Sequence, residues 1–172
     1  MKRIIVTHLF SSFLSLLITI IAFELIIQNF FPNDISPPST IEPAFGTIVN
    51  KPNFSQQNRG GKLRFNRQRI RSSHETPYEK PSGVYRIMTL GDSVFQGLGV
   101  ANKDTWTSNL EFFLNQFQSN IKFEVLNASV VGAGSPLHHY LYMKNEGWKF
   151  EPDLVIVGRS EWELIKGIGR QV

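Results

Sequence analysis

Apolar positions in this chain form one long run and several short ones, and each length predicts a different element. The long run extends from Ile4 to Phe31. Its interruptions are mild: Thr7, His8, Ser11, Ser12, Ser15, Thr19, Glu24 and Gln28. A bilayer core needs ~20 apolar residues in helical form, so this run is long enough to span it. The short runs come later. Tyr85–Leu90 stops at Gly91, Phe123–Asn127 stops at a small-residue turn, and Leu154–Gly158 follows Pro152-Asp153. Short apolar runs ended by turn residues predict buried strands. Between them lie two helical patterns. One covers Trp106–Phe117, with Leu110, Phe113, Leu114 and Phe117 on one stripe and Thr105 as its cap. The other starts at Ser135-Pro136, a cap followed by a first-turn proline, and reaches about Glu146.

Strand and helix alternating at this spacing predict βαβ units on a parallel sheet. The expected fold class is α/β, a three-layer α/β/α parallel sheet preceded by a transmembrane helix. In such sheets, sites form at the carboxyl ends of the strands. Three candidate segments fall there: Gly91-Asp92-Ser93, Gly132-Ala133-Gly134 and Gly158-Arg159-Ser160-Glu161. Gly-Asp-Ser alone is also an ordinary turn tripeptide. The convergence of three segments is what marks a site. Asp92 is expected to be a turn and helix-start carboxylate.

The organisation expected is an anchor at residues 1–31, a Pro-rich connector at 32–83 and an α/β domain from 84 to 172. Lys2 and Arg3 precede the apolar run, which puts the N-terminus on the cytoplasmic side. No small-x-small cleavage site follows the apolar core, so an uncleaved signal anchor is favoured over a removed signal peptide. The connector holds most of the nine prolines and the pair Gly60-Gly61. It is read as a loosely structured extracytoplasmic stalk packing partly on the domain, with strand-like pieces near Phe45–Val49 and Leu63–Phe65.

Composition changes this picture little. The chain has 172 residues, 41% hydrophobic, with 14 Phe, which suits a folded protein. Net charge is +4, and half of the Lys and Arg fall between Lys51 and Arg86. That stretch carries no helix-turn-helix, zinc or RNA-binding signature, so a nucleic-acid partner is not expected. There is no cysteine, which removes disulfides and thiol catalysis. Gly97-Leu98-Gly99 lacks the further glycine of a dinucleotide loop. No metal-ligand spacing is present, and no cofactor is expected.

The motifs together resemble the SGNH (GDSL-type) hydrolases. Leu90-Gly91-Asp92-Ser93 resembles their block I. Asn127-Ala128-Ser129-Val130-Val131-Gly132 resembles block II. Pro152-Asp153-Leu154-Val155-Ile156-Val157-Gly158 resembles the strand into block III. The stretch Asn66 to Arg71, before Tyr-Arg-Ile, resembles the lead-in of anchored members. The resemblance implies a flavodoxin-like fold and ester hydrolysis or acyl transfer. It makes Ser93 the nucleophile, activated by a His that an Asp orients. It assigns the oxyanion hole to the Ser93 and Gly132 N–H groups and to a block III side chain. An acylated glycan, a lipid or a small ester is the implied substrate, and the bilayer is the partner of residues 4–31.

Two departures matter. Block III reads Gly-x-Asn-Asp in the family, whereas Ser160 and Glu161 stand here, so Ser160 takes the Asn position. The family's late Asp-x-x-His block has no counterpart. His8, His74, His138 and His139 are the four histidines, and none matches it. His138 and His139 follow the second strand end, where a surface or packing role is the simpler reading. The tail Arg159–Val172 gives no usual domain ending, which suggests an incomplete domain. An impaired hydrolase, a non-catalytic envelope binding or assembly protein, and a non-functional gene fragment remain open. For the anchor, protease added to spheroplasts is expected to cut after Pro32; protection of that region would reverse the topology.

Overall fold

A computed structural model of the chain describes residues 2–30, 37–58, 60–117 and 120–160. Contacts divide it into two compact units, residues 1–36 and 37–172. The first unit is helix α1, Lys2–Phe30. Its window His8–Ile27 has a mean hydropathy of 2.3, and none of it is buried within the protein. α1 is therefore long and apolar enough to cross a membrane. Two of its hydroxyls bond within the helix. Ser11 Oγ donates to the His8 carbonyl at 3.0 Å, and Thr19 Oγ1 donates to that of Ser15 at 2.9 Å. That back-bonding is what a hydroxyl in an apolar medium requires.

The second unit is mixed α/β. Two hairpins come first. β1 (Ser39–Glu42) pairs antiparallel with β2 (Thr47–Asn50), and β3 (Ser55–Asn58) pairs antiparallel with β4 (Gly61–Arg64). A parallel three-stranded sheet follows. Its strands are β5 (Val84–Leu90), β6 (Lys122–Asn127) and β7 (Leu154–Val157), in the order β6-β5-β7. β5 is central, and Arg86 to Leu90 are all buried. Helices α2 (Ser93–Gln96), α3 (Trp106–Phe117) and α4 (Pro136–Asn145) join the strands. The elements expected from the apolar runs are present within a residue or two. Thr105 caps α3: its Oγ1 accepts from the Ser108 N–H at 3.2 Å. The α3 stripe is less buried than its pattern suggests, since Phe113 and Phe117 are exposed.

The expected loose connector is corrected. Val49, Leu63, Phe65 and Ile70 are almost wholly buried. Val49 and Ile70 share one core with Met88, Leu90, Leu126, Ala128, Tyr142, Met143 and Phe150. The reason lies in period-two patterning. Lys62 and Arg64 flank buried Leu63, so the charged alternates face solvent while the apolar ones build the interior. Asn66 fixes the following turn. Its Nδ2 donates to the His74 carbonyl and to Thr76 Oγ1, both at 3.0 Å, and its Oδ1 accepts from the Ile70 N–H at 3.0 Å.

The lower end of β5 is held by polar groups. Arg86 is fully buried. Its Nε donates to Glu124 Oε2 at 2.7 Å, and its Nη1 donates to the carbonyls of Phe150, Tyr78 and Pro77 at 2.7, 2.9 and 3.2 Å. Asp153 brackets the same residue: its Oδ2 accepts from the Arg86 N–H at 2.7 Å, and its own N–H donates to the Arg86 carbonyl at 2.8 Å.

Because Phe65 is fully buried and packs against Phe54, Phe65→Ala is expected to cost about 3–5 kcal/mol. Chemical unfolding of the detergent-solubilised chain measures this. A cost near zero would restore the stalk reading.

Candidate functional site

The site region begins where the sheet ends. Backbone bonding continues past the strands and ties the three crest segments together. The Ala128 N–H donates to the Thr89 carbonyl at 2.9 Å, and the Val130 N–H to that of Gly91 at 2.9 Å. On the other side, the Gly158 N–H donates to the Leu90 carbonyl at 2.8 Å. The segments carrying Ser93, Gly132 and Ser160 are thus neighbours at one end of the sheet.

Ser93 is the first residue of α2 and is half-buried. Asp92 caps the helix, its Oδ1 accepting from the N–H groups of Val94 at 2.9 Å and Phe95 at 3.4 Å. The expected turn role of Asp92 is what the structure has. Gly97, at φ 80°, ends the helix after one turn. Two glycines leave room for Phe95. A Cβ on Gly91 would come within 2.5 Å of the Phe95 Cβ, and one on Gly158 within 2.1 Å of the Phe95 ring. Trp106 closes over the same ring edge-on, with centroids 5.9 Å apart, and its Nε1 donates to the Phe95 carbonyl at 2.7 Å.

A buried polar network holds the rest of α2. Gln96 Nε2 donates to Asn50 Oδ1 at 2.8 Å and to the Ser129 carbonyl at 3.1 Å. Asn50 Nδ2 donates to the same Ser129 carbonyl at 3.0 Å. Asn127 Nδ2 lies 3.2 Å from Thr107 Oγ1 and 3.3 Å from the carbonyls of Phe95 and Gln96. Arg71 completes the clamp, donating to the carbonyls of Gln96, Gly97 (2.6 Å) and Val100 (2.5 Å). Burial lowers its pKa to about 10, so the guanidinium stays charged at neutral pH. Sequence reading missed Asn50, Gln96 and the clamping role of Arg71. Their only signal was uncharged amides and an arginine in segments otherwise read as surface.

Gly132 ends the turn after β6 at φ 84°, in the left-handed region that favours glycine. A Cβ there would meet only Ile48 Cδ1, at 3.8 Å. Backbone conformation, not crowding by protein atoms, selects the glycine. Among the described residues, neither the Ser93 nor the Gly132 N–H is used in a backbone hydrogen bond.

Ser160 is placed differently from its expected task. Its hydroxyl donates to Asp92 Oδ2. A hydroxyl has one proton, so this bond leaves none for an oxyanion; an amide in its place would have a second N–H. Glu161 lies outside the described residues. His138 Nδ1 is 3.0 Å from Ser135 Oγ, and His74 Nδ1 is 3.5 Å from Ser73 Oγ. Among the described residues, neither is hydrogen-bonded to Ser93. His139 is buried in α4. Among the described residues there is no cluster of His, Cys, Asp and Glu fit for a metal. A polar cleft of about 300 Å³ lies elsewhere, lined by residues of the 70–76 segment, α3 and β6 that include His74, Glu111 and Glu124.

Comparison with family models, curated proteins and solved structures finds no match for the chain.

The Asp92 carboxylate is subject to opposing influences. Burial raises its pKa, but the bonds from Ser160, Val94 and Phe95 outweigh this and leave it below the usual carboxylate value. A group depressed in this way stabilises the fold above its unfolded pKa, and that stabilisation is lost as pH falls through the folded value. Asp92→Asn should therefore lower the melting temperature at neutral pH, and the gap to wild type should close in acid. A gap independent of pH would rule out the charged cap.

Proposed function

We propose that the chain is a membrane-anchored serine ester hydrolase or acyl transferase of the SGNH type, with Ser93 as nucleophile. α1 would be the anchor in the cytoplasmic membrane, N-terminus inside, and residues 37 onward would lie on the extracytoplasmic side. The second unit would be part of a three-layer α/β/α domain. The observation that carries this reading is the position of Ser93. It lies three residues past the end of the central parallel strand, on a one-turn helix held by buried polar groups, at the same sheet end as the Gly132 turn.

The chemistry would be acyl transfer. Ser93 Oγ would attack the ester carbonyl and give its proton to the His that the resemblance implies; the ester C–O bond then breaks, the alcohol leaves with that proton, and water or an acceptor takes the acyl group from Ser93. The negative charge that develops on the carbonyl oxygen needs donors. The N–H groups of Ser93 and Gly132 are the candidates, each donor of this type contributing about 3 kcal/mol to the transition state. Ser160 acts one step back. By bonding Asp92 it joins the third crest segment to the helix that carries Ser93.

A second reading has a specific observation in its favour. His74 and His138 are bonded to neighbouring serines, and Ser93 has no hydrogen-bonded base among the described residues. This favours a non-catalytic, membrane-anchored envelope binding or assembly protein on the same scaffold. One measurement separates the two. Hydrolysis of p-nitrophenyl acetate by the detergent-solubilised chain is expected to disappear in Ser93→Ala. Equal rates in wild type and variant would remove Ser93 as nucleophile and leave the non-catalytic reading.

A further inference from the structure

The segment that carries α2 exposes apolar side chains. Val94 on the helix is 65% exposed, and Leu98, just past the Gly97 cap, is 51% exposed. Val100, two residues on, is 37% exposed. These side chains flank Ser93 on the chain, and none of them serves the core. Strand β4 runs beside Val100 and the turn that follows it. Gly60 bridges to Val100, and the Arg64 backbone exchanges hydrogen bonds with the Asn102 side chain at 2.8 and 3.0 Å. The approach is close: a Cβ on Gly60 would lie 1.9 Å from the Gly99 carbonyl oxygen. The exposed residues of β4 are Lys62 and Arg64, and Lys103 is exposed on the turn after Val100. None of the three cations has an acidic partner in the ion pairs found among the described residues. Asp104 is the exposed acid of the same turn.

We propose that this surface seats on an anionic lipid bilayer and brings Ser93 to acyl esters carried in that bilayer. An apolar patch edged by free cations is the chemistry of a lipid interface. The side chains enter the acyl boundary while Lys and Arg meet the headgroups. Each such cation contributes about fivefold to partitioning on an anionic surface. The lipid substrate class rests on the esterase reading of Ser93; the docking does not.

The chain has no cysteine, so a single probe is easily placed. Leu98→Cys in the full chain, labelled with nitrobenzoxadiazole, is reconstituted in phosphatidylcholine–phosphatidylglycerol vesicles doped with nitroxide lipid. Phe117→Cys, 82% exposed at the end of α3, is the reference. Quenching at 98 is expected to exceed that at 117 several-fold. It should fall towards the reference when Lys62, Arg64 and Lys103 are changed to Glu, or when phosphatidylglycerol is left out. Val94→Cys repeats the reading if Leu98→Cys does not fold. Equal quenching at both positions, or quenching indifferent to the charge reversal, would overturn the proposal. The readout needs no turnover. Strong quenching in a chain without Ser93-dependent p-nitrophenyl acetate hydrolysis would sustain docking and remove only the esterase reading.

Discussion

The carbonyls of Gln96, Gly97 and Val100 end a one-turn helix, and Arg71 is what satisfies them. A helix this short has almost no internal hydrogen bonding to hold it. Its shape must come from outside. Arg71 supplies donors to its C-terminal carbonyls, Asp92 supplies acceptors to its N-terminal N–H groups, and Phe95 locks its inner face over Gly91 and Gly158. The position of Ser93 follows from these restraints together. Removing the guanidinium would take a donor from three carbonyls at once, that of Gln96 buried, which is costly.

The same dependence explains why the segment before β5 belongs to the folded unit. Arg71 lies on it, and so does Asn50, whose amide reaches both Gln96 and Ser129. A stalk could not offer these groups at fixed distances. The hairpins and the Asn66 turn hold them rigid. The sheet supplies strand ends, and the preceding segment supplies the polar frame around them.

The sheet was legible in the sequence because its strands are short apolar runs stopped by Gly91, the small-residue turn after Asn127 and Gly158. α3 and α4 were legible from their caps and spacing. α2 was not, since four residues show no periodicity. The role of the 37–83 segment was hidden for a different reason. Prolines and charges dominate its average, while Leu63 and Phe65 are buried one residue at a time between polar neighbours. Ser93 and Gly132 could be picked out from local motifs. The polar frame could not, because its partners are far apart in the chain: Arg71 and Gln96 by 25 residues, Asn50 and Gln96 by 46. Ser160 needed geometry as well. Only its bond to Asp92 shows where its single proton goes.

The bond between Asn50 and Ser129 spans 79 residues. At a synthesis rate of ~5–20 residues per second, Asn50 waits on the order of 4–16 s for its partner to be made. Through that interval the early hairpins have buried-type side chains and nothing to bury them against. The bond that closes the polar frame therefore forms late, and long-range closure of this kind slows folding. The nascent segment carrying Val49, Leu63 and Phe65 thus emerges with side chains that the finished fold buries.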